Sequence, residues 1–276
     1  MPTSRSSFEF RPRSHHTNSV PRIDTQRPIR ESVPTCRLCC EEKELCRSHI
    51  IPEWAYRPIY DERSRAIVLD SEKRRARKIQ QGAWERLFCA SCEQFFNRLD
   101  QPMHRFWSDP SRRPDHLNKA CVEVQGIDPV ATRDFLLSVL WRAHVARGHA
   151  FSAVDLGPHS DRILAILRNG SENLTRDPYA VFGYVLREPQ TTDVADRLVL
   201  TPVKTRTAGQ WNYVMAFLGY AWQVFVSREA PPLPDSCRLK QTGSIVMPVT
   251  VSNPLKMLEL MAQEVLPHLR LGGDDA

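Results

Sequence analysis

An α+β fold, with a small cysteine-built module ahead of a larger helix-and-strand domain, is predicted by three observations. The chain carries two C-x-x-C pairs, Cys36/Cys39 and Cys89/Cys92, inside its first hundred residues. Helical apolar spacing follows over 131–147 and 159–170. Runs rich in β-branched and aromatic residues then take over between 179 and 251. With 276 residues the chain suffices for one large domain or two smaller ones. Its 41% hydrophobic and 25% charged content is that of a globular protein rather than a disordered one. No run approaches the roughly eighteen apolar residues of a membrane span. The opening residues lack the apolar core of a secretory signal, so a cytoplasmic location is expected.

In a reducing compartment, close cysteine pairs read as metal ligands rather than disulfides. Eight cysteines are present, at 36, 39, 40, 46, 89, 92, 121 and 237. C-x-x-C spacing lets one tight knuckle offer two thiolates to a tetrahedral ion, and two knuckles complete the set of four. Cys36, Cys39, Cys89 and Cys92 are therefore the expected ligands of a structural zinc. Cys40 and Cys46 have no matching partner, and Cys121 and Cys237 are expected to be buried thiols.

Residues 1–34 are rich in Arg, Ser, Pro and Thr and read as a disordered, mildly basic arm. Residues 35–108 form the cysteine module. "ELCRSHII" suits a short strand, "EWAYRPIY" an extended or short helical piece, and "RAIVLD" (65–70) a strand. "SEKRRARK" (71–78) follows as a dense basic run. It is either a solvated loop or helix face or a phosphate-contacting loop, with Lys73, Arg74, Arg75, Arg77 and Lys78 as the contacts. A helix is expected to open at the second knuckle and to end or kink at Pro102. Knuckle, hairpin, knuckle and helix together are the layout of a treble clef. The helix N-terminus there favours ionised thiols.

Residues 109–129 look like a linker, and 130–276 an α+β domain. In its first helix, Phe135, Leu136, Val139, Leu140 and Ala143 mark one apolar face, and Gly148 a stop. The second helix has Ser160 as N-cap and Gly170 past its end. Strands are expected at 179–186, 197–203 and 243–251, with a hairpin over 211–227 turning near Gly219. A last amphipathic helix begins at Pro254. The six tryptophans are expected in the core or at interfaces rather than as base-stacking platforms.

Among polar residues His49 stands out, at the end of the first strand and close to the knuckles. It suits a general base that takes a proton from water, but a further zinc ligand or, before either, a structural hydrogen-bonding histidine accounts for it from the residues alone. The net charge of +6 is mild support for a polyanionic partner.

"CRLC…SHIIP…LFCASCE" resembles the HNH endonuclease superfamily in its zinc-containing, ββα-metal form, over about residues 36–100. The longer pattern, SHIIPEW with "LLSVLWR" (136–142), is similar to a group of bacterial HNH-like proteins. The resemblance implies structural zinc on the four cysteines, His49 as general base, and Ile51–Pro52 as the turn after it. It also implies a catalytic Mg²⁺ or Mn²⁺ and a nucleic-acid substrate, DNA above all. Three positions depart from the pattern. Ser48 stands where the family has a metal-binding carboxylate, Trp84 or a neighbour where it has an Asn, and Glu93 where it has the final His or Asn. Glu93 is a hard oxygen ligand suited to Mg²⁺, and Glu53, Glu85 and Asn97 are candidate replacements for the missing groups. The expected activity is phosphodiester hydrolysis by His49 and Glu93. The alternative is a non-catalytic zinc module that binds nucleic acid or protein.

Overall fold

A computed structural model describes residues 33–63, 65–70, 75–80, 82–112, 114, 117, 119–170, 179–207, 209–227, 239–240 and 242–251. All but Val33 of these belong to one compact unit, Pro34–Ala276. The expected basic arm, the last helix, Cys237, Lys73 and Arg74 lie outside the described residues.

Two short strands, β1 (Arg47–His49) and β4 (Trp84–Arg86), pair antiparallel with Ser48 opposite Glu85 and His49 opposite Trp84. Between them lie a 3₁₀ segment, Glu53–Ile59, and the hairpin β2 (Arg65–Asp70) and β3 (Arg75–Gln80). The basic run is thus neither loop nor helix from Arg75 onward. A six-residue antiparallel register, Arg65–Asp70 with Arg75–Gln80, extends the hairpin into it.

Helix α1 (Ala90–Trp107) opens at the second knuckle as expected, with Cys89 as its N-cap residue. It does not end at Pro102 but runs through it. Proline removes one helical N–H, and the buried anchors beyond it outweigh that loss. Met103 and Trp107 are buried, and the Trp107 ring lies 4.1 Å from Tyr220 and 5.4 Å from Trp222.

Residues 109–129, read as a linker, instead contribute β5 (Cys121–Gln125), an edge strand of a six-stranded sheet. Cys121, expected to be buried, is exposed on it. Helix α2 (Pro129–Val145) starts earlier than its apolar pattern indicates. The Asp128 carboxylate accepts from the Ala131 amide and Pro129 follows it, a strong N-terminal signature. The expected single apolar face is also corrected, since every residue from Thr132 to Ala143 is buried. The helix is a central element, buried all round, with its charges paired: Arg133 with Asp134 and Arg142 with Asp100 of α1. Helix α3 (His159–Asn169) has Pro158 rather than Ser160 at its N-cap position, with no side-chain cap, and ends at Gly170, whose φ is 72°.

The sheet is completed by β6 (Val181–Arg187), β7 (Leu200–Thr207), β8 (Gln210–Phe217), β9 (Tyr220–Phe225) and β10 (Ser244–Val251), in the order β5-β10-β6-β9-β8-β7. β10 pairs antiparallel with β5 up to Pro248 and parallel with β6 from Val249, so the proline sits where pairing changes partner. The β8–β9 turn has positive φ at both Leu218 (56°) and Gly219 (81°), a two-residue hairpin of the primed kind. A Cβ on Gly219 would lie 2.1 Å from a Val194 methyl. Gly219→Ala is expected to destabilise the protein by more than about 1 kcal/mol, measured by chemical denaturation; an unchanged midpoint would refute this account of the turn.

One hydrophobic core runs from Cys36 to Met247. Trp141 of α2 joins its halves, with Phe88 and Phe96 rings at 6.0 and 5.8 Å. The cysteine module therefore packs on the sheet-and-helix part through shared aromatic burial.

Candidate functional site

The two knuckles meet. Cys46 N–H donates to the Phe88 carbonyl at 2.7 Å and Arg37 N–H to the Leu87 carbonyl at 2.9 Å, locking the chain of the first pair against the approach to the second. Every sulfur of Cys36, Cys39, Cys89 and Cys92 lies within 4.8 Å of the others, and Cys39 and Cys89 are 3.9 Å apart. A tetrahedral zinc with bonds of about 2.3 Å holds its sulfurs roughly 3.8 Å from one another, so these four thiols fit such an ion. The Ser91 hydroxyl and the Cys92 amide pull the Cys89 thiol down to about 6. For Cys36 burial opposes ionisation, and amide hydrogen bonds still bring it below the ordinary thiol range. Burial pushes Cys92 up. Cys40 is exposed, with φ of 61°, and Cys46 is half-buried beside the cluster.

Beside this cluster, β1 presents two neighbouring residues to opposite faces. Ser48 is buried and turned inward. Its hydroxyl donates to Glu93 of α1 and accepts from the Phe88 amide at 3.2 Å. Burial pushes the Glu93 carboxyl up, with the Ser48 bond and the Arg142 charge opposing it. The position that the resemblance reserves for a metal-binding carboxylate and the position opposite it are therefore in direct contact through a hydrogen bond.

His49 faces the other way and is half-buried. Its Nε2 lies 2.8 Å from Glu53 Oε2. The second Glu53 oxygen accepts from the Tyr60 hydroxyl at 2.6 Å, which fixes the carboxylate. The His49 backbone is held as well. Arg142 of α2 donates to the His49 carbonyl at 3.1 Å, to both Asp100 oxygens at 3.1 and 2.8 Å, and to the Ser138 hydroxyl at 3.1 Å. Arg142 and Asp100 are 3% and 7% exposed. A buried ion pair is a costly device whose stabilising return is small. Here it ties α1, α2 and the end of β1 to one another.

His49 and Glu93, expected to act together, thus have separate partners on separate faces: Glu53 for the first and Ser48 for the second. Glu85, a candidate replacement ligand, accepts from the Arg147 and Gly148 amides at 2.8 and 2.7 Å and anchors β4 to the end of α2. Asn97 is exposed on α1. Arg75, Arg77 and Lys78 fall on β3, opposite Asp70, Val68 and Ile67 in register. Among the described residues, the four cysteines are the one group of three or more His, Cys, Asp or Glu side chains close enough to share a metal ion.

The clamp on His49 was missed in the sequence, although Ser138 and Arg142 stand one helical turn apart. Nothing local ties them to residues 49 and 100. Also missed was the outward face of the β1–β4 ladder, which Arg47, His49, Trp84 and Arg86 share by alternation and register. Comparison with family models, curated proteins and solved structures finds no match for the chain. No described helix is long and apolar enough to cross a membrane.

Proposed function

We propose that residues 36–107 form a treble clef of the HNH-like, ββα-metal type, and that the protein hydrolyses nucleic-acid phosphodiester bonds with His49 as general base. The observation that carries this reading is the doubly constrained histidine at the end of β1. Its ring is set by Glu53 and its main chain by the buried Arg142–Asp100 pair. A surface histidine with a purely structural role needs neither constraint.

The Glu53 carboxylate beside Nε2 favours the tautomer that carries its proton there, which leaves Nδ1 as the proton-accepting nitrogen. It takes a proton from water, the resulting hydroxide attacks phosphorus, the bond to the leaving oxygen breaks as that oxygen takes a proton from solvent, and the imidazolium then returns its proton to solvent. Glu53 stabilises the imidazolium formed in the first step.

Cys36, Cys39, Cys89 and Cys92 would hold the structural zinc. Four thiolates would leave such an ion no open position, so these cysteines would cross-link the two knuckles rather than take part in catalysis. For Mg²⁺ or Mn²⁺ the resemblance offers Glu93. That carboxylate is engaged by Ser48, and burial favours its protonated form. No second carboxylate or histidine joins it in a ligand group among the described residues. The residues present do not fit that ion, and the chemistry assigned to this chain is the proton transfer at His49. A cytoplasmic setting, reducing enough to keep the thiols free, belongs to the same proposal.

The Ser48–Glu93 contact favours a second reading, a non-catalytic zinc module that binds nucleic acid or a protein. A nicking assay on supercoiled plasmid and on single-stranded substrates separates the two, with and without Mg²⁺ or Mn²⁺. Cleavage by the wild type that falls at least about a hundredfold in His49→Ala, and is reduced in Glu53→Gln, supports hydrolysis. Equal cleavage by wild type and His49→Ala, or none by either, gives the reading to the binding module.

A further inference from the structure

The outward face of the β1–β4 ladder has a composition that the hydrolytic reading does not use. Arg47 lies opposite Arg86, and His49 opposite Trp84. Directly paired residues project to the same side of a ladder, so two arginines, a tryptophan and the candidate base share one surface. Among the described residues the large apolar side chains left exposed are Val33, Trp84 and Trp211. Trp84 is 37% exposed, with the Arg47 guanidinium 4.3 Å from its ring centroid. The other face of the ladder is committed, Ser48 to Glu93 and Phe88 and Glu85 to the amides after α2, while on the outward face one Arg86 nitrogen donates to the Leu45 carbonyl at 2.8 Å and fixes that guanidinium at the surface.

We propose that this face is a binding site for single-stranded nucleic acid, in which an unpaired base stacks on Trp84 and Arg47 and Arg86 meet the flanking phosphates. The inference rests on the hydrolytic reading for the identity of the ligand and extends it to the substrate's strandedness. Charge complementarity selects the occupant, because two guanidinium groups on one side of a short ladder, in a chain of net charge +6, match a phosphate backbone. The tryptophan selects the strand form. In a duplex the base faces are already stacked, whereas a single strand offers each π-face to an aromatic platform. The Arg47 guanidinium on the ring extends the platform by a cation–π contact. Cross-strand pairing of Trp84 with His49 places the phosphate next to a stacked base beside the imidazole.

Trp211 is a built-in comparison. It is also exposed and flanked by cations, with Lys204 and Arg206 at 4.9 and 5.4 Å from its ring, but it lies on the β7–β8 hairpin.

The test is fluorescence anisotropy of labelled twelve-nucleotide DNA and RNA strands and of the matching DNA duplex, with the full metal-loaded chain and no added divalent cation. Expected results are tighter binding of a single strand than of the duplex, and a loss on the order of tenfold in single-strand affinity for Trp84→Ala. Trp84→Phe keeps most of the affinity and Trp211→Ala keeps all of it. Arg47→Ala lowers the slope of log K against log salt by about 0.7. The DNA and RNA arms tell which sugar the site takes. Equal affinity for strand and duplex, or wild-type affinity in Trp84→Ala, overturns the proposal. Trp84-dependent binding without His49-dependent cleavage keeps the proposal and removes the hydrolytic reading. Cleavage that survives Trp84→Ala with unchanged KM does the reverse.

Discussion

Arg142→Ala is expected to lower stability by about 3–5 kcal/mol, read as a fall in the urea midpoint with little change in slope. The loss comes mainly from what is left behind. Asp100 is buried, and its carboxylate would face the core without a counter-charge. The Ser138 hydroxyl and the His49 carbonyl would lose a donor at the same time. Burial already pushes the Asp100 carboxyl up, while Arg142 pulls it down. Removing the arginine leaves only the upward influence. A carboxyl whose folded pKa is raised gives stability that is full below its unfolded pKa of about 3.9 and is lost as pH rises through the folded value. The variant's deficit is therefore expected to shrink as pH falls toward about 4 and to be largest near neutrality. The paired replacement Arg142→Met with Asp100→Leu should recover most of the stability, since packed apolar groups commonly match a buried ion pair. It supplies no donor for the His49 carbonyl, so cleavage should stay low in a variant that folds well. A single variant within about 1 kcal/mol of wild type would show that the pair is not the clamp described.

That clamp marks the limit of what could be read from the chain. The four-cysteine cluster was legible because C-x-x-C spacing is a local constraint and two copies of it can serve one ion. The hairpin at Gly219 and the end of α3 at Gly170 were legible because positive φ selects glycine over a few residues. Helix α2 was found but misjudged. Its apolar face was visible, whereas its burial on all sides depends on α1 and the sheet closing around it. The same tertiary packing overrode Pro102, where Trp107 and its aromatic neighbours hold the helix past the missing amide. β5 hid in a segment rich in prolines and polar residues because an edge strand needs little apolar sequence of its own. The candidate site follows the same rule. His49 could be singled out from its place near the knuckles. Its pairing with Glu53 and Arg142 could not, because one contact depends on the local 3₁₀ path and the other spans 93 residues. The pairing of Glu93 with Ser48 rather than His49 follows from strand alternation once the register of β1 and β4 is known.

The largest effect is expected at the cysteines. Purified protein should carry about one zinc per chain by elemental analysis, and Cys89→Ser or Cys36→Ser should carry none. Cys89 is the sharper choice. It is the N-cap residue of α1, and its thiol is already lowered to about 6 before any metal charge acts on it. Its loss removes one ligand and the residue that couples the ion to the helix. Metal-dependent zinc peptides draw roughly 10–16 kcal/mol of apparent binding energy at neutral pH. The loss here should be smaller but still several kcal/mol, because Phe88, Phe96 and Trp141 pack the module independently of the metal. It should appear as a lower Tm in the serine variants and, equally, in wild type treated with a strong zinc chelator. Cys121→Ser, an exposed thiol on β5, provides the control and should keep both the metal and the Tm. Loss of zinc from Cys89→Ser without any fall in Tm would mean that the knuckles stand on their hydrogen bonds and aromatic packing alone. The rigid end of β1, and with it the placement of His49, would then owe nothing to the ion.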